Sequence, residues 1–126
     1  MVSDWEKNLN TKLVDLQSIK NALNSGAKMV QLKAMSKLIE NQLYDEETIE
    51  ILFSLCKRLG SIEDKIVGMY MLGHFSIAAL YEIQNNLAKQ YYSTEYGKLD
   101  EGEKTIVDNL IKSRALHSQG TKESNK

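Results

Sequence analysis

Two histidines, one cysteine and a few neighbouring carboxylates are the residues from which this chain would have to build any chemistry. His74 lies inside a long apolar run and His117 in a polar C-terminal stretch, so there is no HExxH helix and no Cys/His metal constellation. Cys56 stands on an apolar helix position beside Leu52 and Phe53, which suits packing better than nucleophilic attack. Glu46 with Glu47, and Glu63 with Asp64, are adjacent in sequence, so on a helix their side chains diverge instead of converging into an acid/base dyad. No glycine-rich phosphate loop occurs. The expectation is a protein that is not an enzyme and has no metal or cofactor, with His74 a satisfied core histidine.

The elements that would hold these residues are helical. The chain has 126 residues, 42% hydrophobic and 26% charged, no proline, and a formal net charge of −1. Without its strongest breaker and with many Leu, Lys, Glu, Gln and Met residues, the sequence favours helix almost throughout, in one soluble all-α domain. The single cysteine excludes an internal disulfide, and the charged, polar start lacks the apolar core of a secretory signal. Both point to the cytoplasm.

Ile66 to Tyr81, IVGMYMLGHFSIAALY, runs sixteen residues without a formal charge. As a helix it would rise about 24 Å, short of the roughly 30 Å of a hydrocarbon core, so it predicts a buried central helix and not a membrane span. Around it the periodicity predicts amphipathic helices. Ser3 and Glu6 form a capping box before Trp5, Leu9, Leu13, Leu16, Ile19 and Leu23. Asn24-Ser25-Gly26 is a turn, followed by a second helix from Val30 to Leu43. Asp45 caps a third, with Ile49, Leu52, Phe53, Cys56 and Leu59 on its apolar face. Ser61 to Asp64 starts a fourth, which either continues to about Gln90 or breaks near Gly73 to Ser76; the glycine favours the break. Tyr91 to Gly102 reads as a loop and Glu103 to Ser113 as a last helix. The domain is expected over 1–114, with 115–126 a disordered tail.

A shift of 34 residues brings like classes together, among them Ala22 and Cys56, Gly26 and Gly60, Leu32 and Ile66, Met35 and Met69, Leu38 and Leu72, and Leu43 and Ile77. In VQLKAMSKLI, residues 30 to 39, and DKIVGMYMLGHF, residues 64 to 75, the chain resembles the HEAT-repeat family. Asp64 and Lys65 match the charged pair common at the start of second helices, whereas Val30 and Gln31 depart from it and the frequent first-helix proline is missing. The resemblance implies antiparallel hairpins stacked as a short right-handed superhelix of five or six helices, acting as a protein-binding scaffold or adaptor.

Charge is unevenly placed. Lys7 to Lys37 holds six lysines and only Asp15 as an acid, whereas Glu40, Asp45, Glu46, Glu47 and Glu50 follow without a base between them. Lys28, Lys33 and Lys37, extended by Lys65, form the basic part of the expected partner surface, and Tyr91, Tyr92 and Tyr96 the aromatic part. The expected partner is another protein. Nucleic acid is the alternative, opposed by a pI near 6.1 and by only two arginines, Arg58 and Arg114. A third reading is self-assembly, as a homodimer or larger structural array, through an uncapped end of the stack.

Overall fold

The computed structural model describes residues 15–59, 70–116 and the backbone of 65–67. Among these, six helices build the body and one short antiparallel pair interrupts them. The helices are α1 (Leu16–Leu23), α2 (Lys28–Asn41), α3 (Glu46–Leu55), α4 (Leu72–Glu82), α5 (Asn86–Gly97) and α6 (Glu101–Lys112). Between α3 and α4, β1 (Lys65–Val67) pairs with β2 (Tyr70–Met71), Lys65 opposite Met71 and Val67 opposite Tyr70.

Side-chain caps set most helix starts. Asp15 accepts from the Ser18 amide at 2.8 Å, Asn85 from the Leu87 and Ala88 amides, and Asp100 from the Glu103 amide at 2.8 Å. Each satisfies amides that the first helical turn leaves without a partner. Asp45 goes further: its carboxylate accepts from the Thr48 amide at 2.9 Å, its own amide donates to the Thr48 hydroxyl, and Lys20 of α1 pairs with the carboxylate at 2.7 Å. Burial would raise the Asp45 carboxyl, but Lys20 and Thr48 outweigh it and hold it down at about 2. The folded value therefore lies below the ordinary 3.8, so its stabilisation is complete above that value and is lost as pH falls toward 2. Asp45→Asn keeps a capping oxygen but no charge, and is expected to flatten the acid limb of stability measured by urea melts. Asp45→Ala also removes the cap and should cost about 1 kcal/mol at neutral pH.

α4 is the centre of the fold. Every residue from Leu72 to Leu80 is buried, and α2, α3, α5 and α6 all pack on it. α3 comes closest. The Gly73 amide donates to the Arg58 carbonyl at 2.9 Å, and a Cβ on Gly73 would lie 2.7 Å from both the Cys56 carbonyl oxygen and the Leu59 side chain. One turn on, the Ser76 hydroxyl donates to the Leu52 carbonyl at 2.6 Å. Small side chains and an inward hydroxyl thus let two backbones approach where larger residues would hold them apart.

The helical class agrees with the sequence, and several boundaries do not. Residues 65–67 and 70–71 are extended, so α4 starts at Leu72 and no helix runs from Ser61 through this segment. The β-branched Ile66 and Val67 explain the preference, since they suit a pleated strand better than a helix. The repeat pairing Leu32 with Ile66 therefore sets a helical residue against an extended one. Asp15 is also extended, so α1 begins after it. The earlier members of that apolar series, including the Ser3–Glu6 capping box, lie outside the described residues. Tyr91 to Gly97 belongs to α5 and is not a loop, the chain having reversed at Ile83 to Asn85. Leu116 is buried, and its carbonyl accepts from the Ser36 hydroxyl of α2, so the packed chain extends past Ala115. The remaining tail, from 117, lies outside the described residues.

Candidate functional site

His74, the third residue of α4, is 1% exposed and both of its ring nitrogens are engaged. Nδ1 accepts from the Met71 amide at 2.9 Å, which places the proton on Nε2, where it is donated to the Glu103 carboxylate of α6. Neither nitrogen is turned toward a substrate. The histidine works as a cap for α4 and a tie between α4 and α6. Cys56 is similarly committed. Its thiol donates to the Leu52 carbonyl, and burial, only partly offset by the Ser76 hydroxyl, pushes its pKa up to about 12. A thiol so held is not a nucleophile at neutral pH. A thiol reagent is expected to label Cys56 only as fast as the protein unfolds; rapid stoichiometric labelling of native protein would contradict this burial. Among the described residues, no cluster of three His, Cys, Asp or Glu side chains could hold a metal ion, and no helix is long and apolar enough to cross a membrane.

What remains is a surface of rings. Tyr81, in the last turn of α4, is 47% exposed although it directly follows the buried run. Its ring meets Tyr92 of α5 at 5.1 Å between centroids, tilted 58°, and Tyr92 stacks on Tyr96, one turn further along α5, at 5.2 Å and 25°. The Tyr96 hydroxyl donates to both carboxylate oxygens of Asp108 on α6 at 3.0 Å, and Lys104 lies 5.5 Å from the Tyr96 ring centroid. Burial, with Tyr96, Asp108 and Tyr81 adding negative character, pushes the Tyr92 phenol up to about 12, so it stays neutral and keeps its ring quadrupole. Beside these rings, Tyr81, Tyr92, Asp108, Ile111 and Lys112 line a groove of about 380 Å³. No protein-family model, curated protein or solved structure matches the chain.

The expected partner residues divide among separate places. Tyr92 and Tyr96 belong to this ring surface. Tyr91 turns toward α3, where its ring stacks on Phe53 at 4.0 Å and its hydroxyl donates to Glu50 at 2.6 Å; that carboxylate raises the phenol's pKa. Lys33 and Lys37 lie half-buried along one side of α2, with Met29, 63% exposed, one turn before them. Lys28 and Lys33 are already engaged within the molecule. The side chain of Lys65 lies outside the described residues. α2 and α5 both pack on α4 but have no extensive contact with each other, so the lysines and tyrosines occupy different helices around it. The sequence shows Tyr81 among the C-terminal rings without assigning it to the partner surface, and Asp108, Ile111 and Lys112 were missed as parts of it. The available signal was the Tyr92–Tyr96 spacing of one helical turn, which becomes visible once that segment is read as a helix.

Proposed function

We propose that the chain is a non-catalytic helical scaffold, an adaptor that binds a protein partner through the ring surface of α4, α5 and α6. The observation that carries this is Tyr81, held half-exposed at the end of an otherwise buried helix and stacked against Tyr92. Tyrosines with few rotatable bonds and preset neighbours lose little freedom on contact, which is why they recur as anchors in interfaces. The HEAT-like stack belongs to the same proposal, supported by a 34-residue shift that sets Leu38 of α2 on Leu72 of α4, both of them buried. The stripe of Lys28, Lys33 and Lys37, with Lys65, is proposed as a separate secondary contact. Unchanged binding after charge reversal at Lys33 and Lys37 would remove it.

The test is recovery of tagged protein from its native cell extract, with and without nuclease, beside the double variant Tyr81→Ala/Tyr92→Ala. A discrete protein that survives nuclease and binds the variant at least about 30-fold more weakly, the effect of about 2 kcal/mol at an anchor, is the expected result. Loss of everything with nuclease would replace this reading by a nucleic-acid one. Mass that rises with concentration in the purified protein would favour self-assembly.

A further inference from the structure

We propose that the groove between α4, α5 and α6 is a receptor for a cationic side chain, an arginine guanidinium presented by the partner. This rests on the adaptor reading above and gives its contact a chemistry. Three features of the groove carry the same sign. Tyr81 and Tyr92 are in ring contact and both line the space, and the faces of such rings attract cations. Asp108 lines the groove and is exposed; although it accepts from Tyr96, its two oxygens offer about four lone-pair positions, enough for a second donor. Tyr81 stands in the last turn of α4, where the helix dipole is negative and no basic side chain offsets it.

The molecule already contains the interaction it would offer. Lys104 lies over Tyr96, whose hydroxyl is bonded to Asp108, so one member of the ring ladder takes a cation from the chain itself, while Tyr81 and Tyr92 border the open groove. Lys112, the basic residue of the lining, belongs to the last turn of α6, where its charge offsets that helix's own negative end. The volume of about 380 Å³ lies within the range of side-chain and small-ligand sites. A guanidinium suits it better than an ammonium, because its plane stacks on a ring while its edge donates to a carboxylate.

The probes are N-acetyl-arginine amide and its uncharged isostere N-acetyl-citrulline amide, titrated separately into the full-length protein and followed by two-dimensional NMR. The expected result is a set of shifts at Tyr81, Tyr92, Asp108 and Ile111 with a midpoint of about 1 mM for the arginine compound, and a midpoint at least about tenfold weaker for citrulline. Asp108→Asn, which retains an acceptor for Tyr96, and Tyr81→Leu, which retains apolar bulk, should each weaken arginine binding by about fivefold or more at unchanged melting temperature. Equal response to the two compounds, or shifts that map elsewhere, would overturn the proposal without touching the adaptor reading if a partner is still lost with Tyr81→Ala/Tyr92→Ala. Arginine-selective shifts in a protein that retains no partner would support the receptor and sink the adaptor.

Discussion

Gly73→Ala is expected to destabilise the protein by about 2 kcal/mol, opposite in sign to the gain of about 1 kcal/mol that alanine normally brings to a helix interior. The reversal comes from the α3–α4 crossing. The new methyl would meet the Cys56 carbonyl oxygen at 2.7 Å, and backbone cannot swing aside as a side chain does. Relief requires α4 to move away from α3, which would stretch the bond from the Gly73 amide to Arg58 and the one from Ser76 to Leu52. Urea denaturation of the two proteins measures the difference directly. A variant as stable as the parent, or more stable, would mean that the helices do not approach this closely.

Breaking the His74 tie should cost about as much. His74→Leu fills a similar space but leaves the Met71 amide without its acceptor and the Glu103 carboxylate without its donor, an expected loss of about 2 to 3 kcal/mol. Glu103→Gln keeps an acceptor for Nε2 and should cost less than about 1 kcal/mol. That asymmetry separates a hydrogen-bonded tie from simple packing, in which the glutamine variant and the leucine variant would bear no such relation. Equilibrium unfolding of both variants, with amide exchange at Met71 as a local reporter, tests it. Exchange there should accelerate only in His74→Leu.

The helices legible in the sequence were those whose apolar and polar residues alternate at helical spacing. α2 and α6 stand close to where the pattern of Leu, Ile and Val residues put them, and Asp45 caps α3 as expected, but α3 ends at Leu55, so Cys56 and Leu59 lie beyond the helix on whose apolar face they were expected. In the uncharged run from Ile66 to Tyr81 the break expected at Gly73 to Ser76 does not occur, since α4 runs unbroken through those residues and the boundary stands before Leu72; a segment apolar on every side carries no period from which to tell strand from helix. α5 failed for the opposite reason. NLAKQYYSTEYG has few apolar residues, and among them only Ala88 is fully buried, so its helical character lies in the Asn85 cap and the ring spacing more than in a core stripe. The aromatic surface was half legible. Tyr92 and Tyr96 were visible as a cluster, but their joining to Tyr81 and Asp108 depends on how α4, α5 and α6 meet, and no local signal encodes that.

The burial of α4 on all sides also bears on how the chain acquires its structure. In an array of self-sufficient hairpins, neighbouring units can melt one after another, and a fragment can hold its shape. Here the residues from Leu72 to Leu80 are covered by helices drawn from both halves of the sequence, and the Ser36–Leu116 bond spans 80 positions. During synthesis α2 and α3 would emerge before α4, the element on which they close, and α4 itself stays partly uncovered until α5 and α6 arrive. Such a chain gains little from partial assembly, so its transition should be all-or-none and comparatively slow for a helical protein, because loops between distant segments must close before their contacts can form.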